Sequence, residues 1–203
     1  MIAYTIMAAR DAKMVTDWLV STDDDEIIEV ATLYGAATPF KRPDSLATDE
    51  VRNIDVALHA LDHMEKERGL RYDIIVLLQP TAPIRKPEHI DEAIEKLWKS
   101  DLPTLAAVKG PYQKRDPILK RIDADGNLVA YCSDPGMDPR EPFYIYNAAL
   151  YAVKRDYFVM ERRFTSEKQV PYVMDKYYST DVDELADLVV AGAYLEMKRK
   201  GEI

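Results

Sequence analysis

Two aspartates separated by one residue, Asp181 and Asp183, precede the last helical stretch of the chain. In an extended segment, residues two apart point to the same side, so both carboxylates could share one hard cation. Waters and substrate phosphates would then complete its coordination. The same acids could instead cap the following helix and complement its dipole. The pattern taken alone favours capping and leaves a magnesium site as the alternative.

A second group of candidate residues follows the apolar run 74–78, in the stretch Gln79-Pro80-Thr81. The Gln79 amide can donate and accept hydrogen bonds at once, which suits a sugar carboxylate or hydroxyl. Arg85, a few residues later, could contact a phosphate or lock the loop through a carboxylate. A solvated connector between a strand and a helix is the other interpretation, because such loops are common.

Two more polar residues stand out against their surroundings. Asn147 lies in a mostly apolar, strand-like run over residues 145–153, and a buried asparagine must find hydrogen-bond partners. Its amide could bind backbone groups or a sugar hydroxyl, and the pattern does not separate the two. Arg42 starts a turn-rich stretch before a helix, where it could meet a nucleotide or simply be solvated.

These residues depend on an α/β framework. Strand and helix signals alternate through the first half of the chain, which predicts βα units on a largely parallel sheet. The run 74–78 suits a central strand covered on both faces. Ligands of such sheets bind beyond the carboxyl ends of the strands. We therefore expect the polar clusters at 21–23, 42–43, 79–81 and Asn147 to face one crevice.

The rhythm changes in the second half of the chain. Residues 118–122 and 128–131 predict a β-hairpin that turns at Asp125-Gly126-Asn127. This hairpin interrupts the βα order, so a segment of about 112–144 could form a dimerisation arm. A hairpin lying on its own domain is equally compatible with the pattern.

Length and composition limit the possible functions. A chain of 203 residues predicts one domain over residues 1–203. Its net charge of −9 argues against a nucleic-acid-binding protein, which needs a basic face. No apolar run approaches the roughly 20 residues of a membrane helix. A single cysteine fits a reducing compartment, and we predict a cytoplasmic protein without a membrane or nucleic-acid partner.

Taken in order, the segments resemble the acylneuraminate (sialic acid) cytidylyltransferase family and its relatives that activate other nonulosonic acids. The resemblance spans nearly the whole chain, and its stretches are IAYTIMAA, VSTDDDEIIEVATLYGA, PFKRPDSLATDE, LLQPTAPIR, HIDEAIEKL, YIYNAALYA and DVDELADL. It implies a Rossmann-like nucleotidyltransferase fold with helices flanking the sheet, a Mg²⁺ requirement and a homodimer. The implied reaction converts CTP and a nine-carbon 2-keto sugar acid to the CMP-sugar and pyrophosphate.

The resemblance also assigns residues. Gln79, Asn147 and Tyr151 would contact the sugar acid, with Arg85 in the same substrate-binding motif. Arg42 would contact the nucleotide. Asp181 and Asp183 would hold Mg²⁺ as catalytic residues, and Arg140 would match a catalytic family arginine upstream of the asparagine. This sequence has Glu141 where the family has glutamine, and Ala148 where it has glycine.

The largest departure from the family lies at the N-terminus. The family begins with a strand and a loop rich in Gly, Lys and Arg that cradles the CTP phosphates. Here, Met1–Thr5 corresponds to the helix after that loop, and no glycine precedes Gly35. Without the loop, the triphosphate loses backbone donors and cationic partners. Without the strand, neighbouring strands keep unpaired edges or border a gap.

We therefore expect little or no transferase activity from this chain. Met1 is either an internal methionine of a longer protein or the true start of a short one. Two rival functions remain: a catalytically inactive homologue that acts as a binding or dimerisation module, and a nucleotidyltransferase for a different sugar.

Overall fold

The computed structural model describes residues 1–48, 50–113, 120–122, 124–130 and 142–203. Its α-helices are α1 (Ile2–Asp11), α2 (Asp25–Leu33), α3 (Asn53–Arg68), α4 (Pro87–Trp98), α5 (Arg155–Glu161) and α6 (Leu185–Lys200). Its strands are β1 (Ile74–Leu77), β2 (Thr104–Gln113), β3 (Lys120–Ile122), β4 (Leu128–Ala130), β5 (Pro142–Lys154) and β6 (Val170–Met174). None of the helices described is long and apolar enough to cross a membrane.

The main sheet is mixed. Its strand order is β1-β5-β2-β6, with β2 and β6 parallel. β5 is antiparallel to both β1 and β2 and lies between them. The predicted α/β class is confirmed, but the expectation of a largely parallel sheet is corrected. β1, β2 and β6 share one direction, and the insertion of β5 makes two of the pairings antiparallel.

Helices cover both faces of the sheet. Adjacent residues of β5 show this, because Ala152 packs into one core cluster and Val153 into another. The first cluster includes Ile90 and Leu97 of α4, together with residues of α1 and α6. The second contains Leu61 of α3 and Phe158 of α5. Successive side chains of a strand point to opposite faces of the sheet, so neighbouring residues of β5 pack into different clusters. This is expected for a three-layer α/β arrangement.

Local sequence signals explain how several helices begin and end. Asp24 caps α2, since its Oδ1 accepts from the N–H groups of Glu26 and Ile27 at 2.8 and 3.0 Å. Gly69 ends α3 with a φ of 64°, in the left-handed region that favours glycine. Pro87 opens α4. The acidic run after Thr22 therefore has a structural role at the start of a helix.

The hairpin predicted in the second half is present. β3 and β4 pair antiparallel in a separate two-stranded sheet. Ile122 and Leu128, opposite each other in the register, are each 71% exposed. Much of the segment that we predicted as a dimerisation arm, including 114–119 and 131–141, lies outside the described residues. The arm's role therefore stays a prediction.

An apolar cavity of about 1040 Å³ borders β1. It is bounded by β1, by residues 14–21, and by α1 and α3. β1 ends the strand order, so in the described chain only β5 pairs with it. The predicted central position of β1 is therefore corrected. Across the cavity, Leu19 makes a single parallel bridge, to Ala37. Two poorly paired chain segments thus face each other across an apolar space.

Candidate active site

The loop after β1 and the acidic pair are neighbours. The N–H of Val182 donates to the carbonyl of Thr81 at 2.8 Å. This backbone bond places the segment 181–183 directly beside the loop 79–81. Two clusters separated by about a hundred residues of sequence are therefore side by side at the end of β1.

Arg85 locks this region from inside. Its side chain is 2% exposed, and its Nη2 donates to the carbonyls of Gln79 and Ala149 at 2.8 and 2.6 Å. Its Nη1 donates to Thr5 Oγ1 at 2.9 Å. Burial lowers the pKa of Arg85 to about 10, so the guanidinium remains charged at neutral pH. The structure thus joins α1, the loop and β5 through one cation. Arg85 does lock the loop, but through two carbonyls and a hydroxyl rather than through the carboxylate that the sequence suggested as one alternative.

Asn147 is committed to protein partners. It is 1% exposed, and its Nδ2 donates to Ser179 Oγ at 3.0 Å. Its Oδ1 accepts from the N–H of Ala149 at 3.2 Å. Ser179 Oγ in turn donates to the carbonyl of Asp175 at 2.8 Å. The sequence left open whether the Asn147 amide binds backbone groups or a sugar hydroxyl. In the structure, both polar atoms of the amide bind other groups of the protein. Asn147 thereby fixes the chain that leads from β6 to Asp181.

A bulge in β5 turns Asn147 inward. On β2, Ala106 pairs with Tyr151 and Val108 pairs with Tyr146, so β5 carries extra residues in this interval. Ala148 in that interval has a φ of 56°. Bulges of this kind redirect side chains next to sites. Ala148 therefore adopts a left-handed conformation, which glycine would adopt more easily.

The acidic pair does not cap α6. The cap contacts come from Asp187, whose Oδ2 accepts from the N–H groups of Asp183 and Glu184 at 3.1 and 3.0 Å. The Glu184 side chain completes this capping box. Meanwhile Asp181 Oδ1 is buried and has no hydrogen-bond partner within the described ranges. A buried, unpartnered carboxylate oxygen beside an exposed Asp183 suits a hard cation better than a helix cap.

The part of the chain that the structure describes offers such a cation few further ligands. Among the residues with described positions, no group of three or more His, Cys, Asp or Glu side chains could hold a metal. A metal at Asp181 and Asp183 would therefore need most of its other ligands from water and substrate. Mg²⁺ accepts such an arrangement, since it commonly keeps several waters and binds substrate phosphates.

Tyr151 lies close enough to sense Asp181. Burial, and after it the charges of Tyr146 and Asp181, raise the pKa of Tyr151. Tyr146 and Tyr151 are tilted against each other with ring centroids 6.0 Å apart. Both line a second cavity of about 290 Å³. Tyr151 thus lines a space that could hold part of a ligand and lies within electrostatic range of Asp181.

Arg42 and Gln79 line the large cavity. The Arg42 N–H donates to the carbonyl of Thr22 at 2.9 Å, and its Nε donates to Ser21 Oγ at 3.3 Å. Its Nη2 also donates to the carbonyl of Ser21. These contacts bring the clusters at 21–23 and 42–43 together, as the crevice hypothesis requires. Arg140, the remaining predicted residue, lies outside the described residues.

Comparison with known proteins decides the family. A family model described as "Cytidylyltransferase" matches residues 1–195. The chain belongs to the cytidylyltransferase family. The predicted resemblance and the nucleotidyltransferase class of enzyme are thereby confirmed.

The relatives of this cytidylyltransferase include enzymes named for nonulosonic acids. It is 30% identical over 210 residues to a CMP-N,N'-diacetyllegionaminic acid synthase of Legionella pneumophila, covering 98% of this chain and 87% of that protein. It is 26% identical over 198 residues to a pseudaminic acid cytidylyltransferase of Campylobacter jejuni, with 94% and 83% covered. An Escherichia coli N-acylneuraminate cytidylyltransferase is 29% identical over 207 residues, with 100% of this chain and 48% of that protein covered.

Solved structures confirm the fold of this cytidylyltransferase. A CMP:2-keto-3-deoxy-manno-octonic acid synthetase complexed with CTP has a TM-score of 0.61 at 15% identity, with 96% of this chain and 88% of that chain covered. The 4-diphosphocytidyl-2C-methyl-D-erythritol synthase of Anaerococcus prevotii gives 0.60 at 16% identity, with the same coverage. Identity this low supports the shared fold alone.

Sequence reasoning missed three residues that shape the site of this cytidylyltransferase. Ser179 holds Asn147, Asp187 caps α6, and Thr5 accepts from Arg85. A serine two residues before Asp181 was a signal that could have been used. Thr5 gave none, because a small polar residue on a helix has no pattern that reveals a distant arginine.

Proposed function

We propose that this cytidylyltransferase activates a nonulosonic, sialic-type acid with CTP. In the proposed reaction, the anomeric oxygen of the sugar bonds to the α-phosphorus and the bond to the β-phosphate oxygen breaks, which releases pyrophosphate. The names of the relatives support the substrate class. The observation that carries the proposal is the Val182–Thr81 hydrogen bond, because it sets the acidic pair beside Gln79.

Each residue has a proposed role. Gln79 and Tyr151 contact the sugar acid, and Arg42 contacts the nucleotide. Arg85 and Asn147 act by position, since their polar atoms are used to hold the loop and the chain before the acidic pair. Asp181 and Asp183 would hold Mg²⁺. The ion, when bound, stabilises the negative charge that develops on the leaving pyrophosphate.

Turnover in this proposal also requires a segment that occupies the large cavity and supplies donors to the triphosphate. The poorly paired edge of β1 and the apolar walls of the cavity support a strand as the occupant. A glycine- and lysine-containing loop after such a strand would supply backbone N–H groups and a cation to the phosphates. We therefore expect the 203-residue chain to turn over CTP slowly or not at all.

The test measures pyrophosphate release from CTP with a panel of sugars. The panel contains N-acetylneuraminic, N,N'-diacetyllegionaminic and pseudaminic acids, 2-keto-3-deoxy-manno-octonic acid and a sugar phosphate. Both the chain as given and a version extended ahead of Met1 by a strand and a phosphate-binding loop are assayed. We expect release by the extended version with a nine-carbon acid. Release with only the sugar phosphate, or with only the eight-carbon acid, would overturn the substrate class.

A further inference from the structure

One hydroxyl group joins β5 to the segment that carries the acidic pair. Ser179 is 3% exposed, and its Oγ accepts a hydrogen bond from Asn147 Nδ2 at 3.0 Å. The same Oγ donates to the carbonyl of Asp175 at 2.8 Å. A hydroxyl group has one hydrogen to donate and can accept at the same time. Both capacities of Ser179 are used, and together they tie the segment after β6 to β5.

The chain on the N-terminal side of Ser179 is well packed. Asp175 caps the short 3₁₀ turn Lys176–Tyr178, and its side chain accepts from a backbone N–H of that turn at 3.0 Å. Tyr178 is buried and packs edge to face against His89, with ring centroids 4.8 Å apart. Ser179 therefore follows a packed turn and does not lie in a free loop.

Asp181 lies between two held points of the backbone. Ser179 precedes it by two residues, and Val182, which follows it, donates its N–H to the carbonyl of Thr81 at 2.8 Å. Three residues of chain span at most about 10 Å, so a stretch held at both ends has little freedom to rotate. The orientation of Asp181 is therefore restricted by one contact on each side.

The Asp181 carboxylate is a group for which such restriction matters. Its Oδ1 is buried and has no hydrogen-bond partner among the residues that the structure describes. A buried carboxylate oxygen without a partner is unfavourable, so a freely moving side chain would turn toward water or toward a donor. Because the backbone is held on both sides, the oxygen stays available to a cation. A ligand that is already oriented binds its metal more tightly.

We propose that Ser179 is a positioning residue of the magnesium site, which holds Asp181 in the orientation that binds the ion. This inference rests on the proposed function, because it assigns a support to the cation of that same site. Ser179 acts through the backbone that leads to Asp181. Loss of its hydroxyl therefore weakens metal binding by more than a general loss of stability would.

The test measures metal binding by NMR rather than turnover, so it does not depend on an active enzyme. Mn²⁺, a paramagnetic substitute for Mg²⁺, is titrated into the isotope-labelled chain, and the broadening of the Asp181 and Val182 amide signals is followed. We expect Ser179→Ala to need about tenfold more Mn²⁺ for the same broadening, since partners that orient metal ligands contribute roughly 10–100-fold to affinity. The amide signals of the acidic run 23–26 report the non-specific binding of Mn²⁺ to an acidic surface.

Ser166→Ala is the matched control. The Ser166 hydroxyl also has two partners, the Thr104 hydroxyl at 2.6 Å and the carbonyl of Lys168 at 2.7 Å, but these contacts join β2 to the turn before β6. This variant should lower the urea midpoint as Ser179→Ala does and keep the wild-type Mn²⁺ titration. Ser179→Cys fills the same space with a weak donor, so it should bind Mn²⁺ less tightly than the wild type. It gives the same comparison if Ser179→Ala does not fold.

Each result supports or contradicts the assignment. If the Ser179 variants lose stability but keep the wild-type titration, Ser179 is a structural residue only, and the inference is wrong while the proposed function stands. If Ser166→Ala loses as much Mn²⁺ affinity, the effect comes from a loosened fold and the inference is again wrong. If the wild type broadens residues 181–183 no more than the run 23–26, the acidic pair is not a metal site. That part of the proposed function then fails together with this inference.

Discussion

The carbonyl of Thr81 accepts a hydrogen bond from the N–H of Val182 at 2.8 Å, which joins the loop after β1 to the acidic pair. Asp181 and Asp183 flank the donor residue on either side. Both carboxylates therefore lie next to the residue that is bonded to the loop. This relationship makes the acidic pair the most direct place to test the proposed chemistry.

Replacing one acid of the pair should remove the response to magnesium. In an extended, active version, Asp183→Asn should lower Mg²⁺-dependent turnover by at least about 100-fold, since even outer partners of metal ligands cost roughly 10–100-fold. The measurement is pyrophosphate release across a Mg²⁺ titration. Asp187→Ala is the control: it removes the carboxylate that caps α6, should cost about 1 kcal/mol of stability, and should leave the magnesium response unchanged. An unchanged titration in Asp183→Asn would assign the pair a purely structural role.

Arg85 should be a stability residue. Arg85→Lys keeps a positive charge but cannot reach Gln79, Ala149 and Thr5 with one fork, so buried acceptors lose their partner. We expect the free energy of unfolding to fall by about 2–4 kcal/mol, measured by urea denaturation. Arg199→Gln, at an exposed pair on α6, should leave the midpoint unchanged. Equal midpoints for wild type and Arg85→Lys would contradict the buried clamp.

Ala148 should tolerate glycine better than its neighbour does. At a φ of 56°, alanine is strained and glycine is not, so Ala148→Gly should raise the free energy of unfolding by up to about 1 kcal/mol. Ala149→Gly loses a buried methyl group and gains backbone freedom in the unfolded chain, so it should lower stability by about 1 kcal/mol. Urea denaturation of both variants checks the sign. A loss of stability in Ala148→Gly would contradict the left-handed conformation of Ala148.

His89 should make the protein less stable in mild acid. Burial lowers the pKa of His89 to about 4, with nearby Lys86 and Lys198 acting in the same direction and Glu92 opposing them. Its Nδ1 accepts from the N–H of Lys86 at 3.2 Å, a bond that only the neutral ring can make. An unfolded histidine takes up its proton near pH 6.5. The stability that neutral His89 contributes is therefore fully present above about pH 6.5 and is lost as the pH falls toward 4.

The free energy of unfolding should fall by about 1–2 kcal/mol over this range. The loss is limited because the His89 ring is partly open to solvent, which screens its charge. Thermal or urea denaturation between pH 7 and 4 measures it. His89→Gln keeps an acceptor for the Lys86 N–H and removes the titration, so its stability should depend less on pH by that amount. Identical pH profiles for the two proteins would contradict a buried neutral histidine at this position.

A strand supplied to the large cavity should stabilise the protein. An apolar extended segment joined ahead of Met1 can pair with β1 and cover its apolar walls. We expect at least about 2 kcal/mol, or roughly 4–8 °C in the melting temperature for a domain of this size. The control is a segment of the same length with proline and aspartate in its centre, which cannot pair or fill the space. Equal melting temperatures for the two extensions would contradict the cavity as a strand site.

Patterns that repeat along the chain predicted the framework well. The apolar run 74–78 and the turn at Gly126 predicted β1 and a hairpin, because each pattern depends on neighbours in sequence. The place of β1 in the sheet was not predictable in the same way. Strand order depends on β5, whose pairing with β1 joins residues about eighty positions apart.

Distant contacts also limited the prediction of the site. The sequence predicted that the loop 79–81 and Asn147 lie at the same end of the sheet. It could not tell that Asp187 rather than Asp183 caps α6, since several acids compete there within one turn. Nor could it show that Arg85 binds the carbonyl of Ala149 and the hydroxyl of Thr5, because these residues lie 64 and 80 positions away. Roles set by such pairs appear only once the chain is folded.

The open side of β1 has a practical consequence for work on this protein. A strand edge flanked by apolar walls is a template for the edge of another molecule. Samples in which nothing occupies that position should accumulate oligomers as concentration rises, with gain of extended structure visible in infrared spectra. Dilute conditions or a capping peptide would then prevent this association, and the choice of expression boundary becomes a matter of solubility as much as of catalysis.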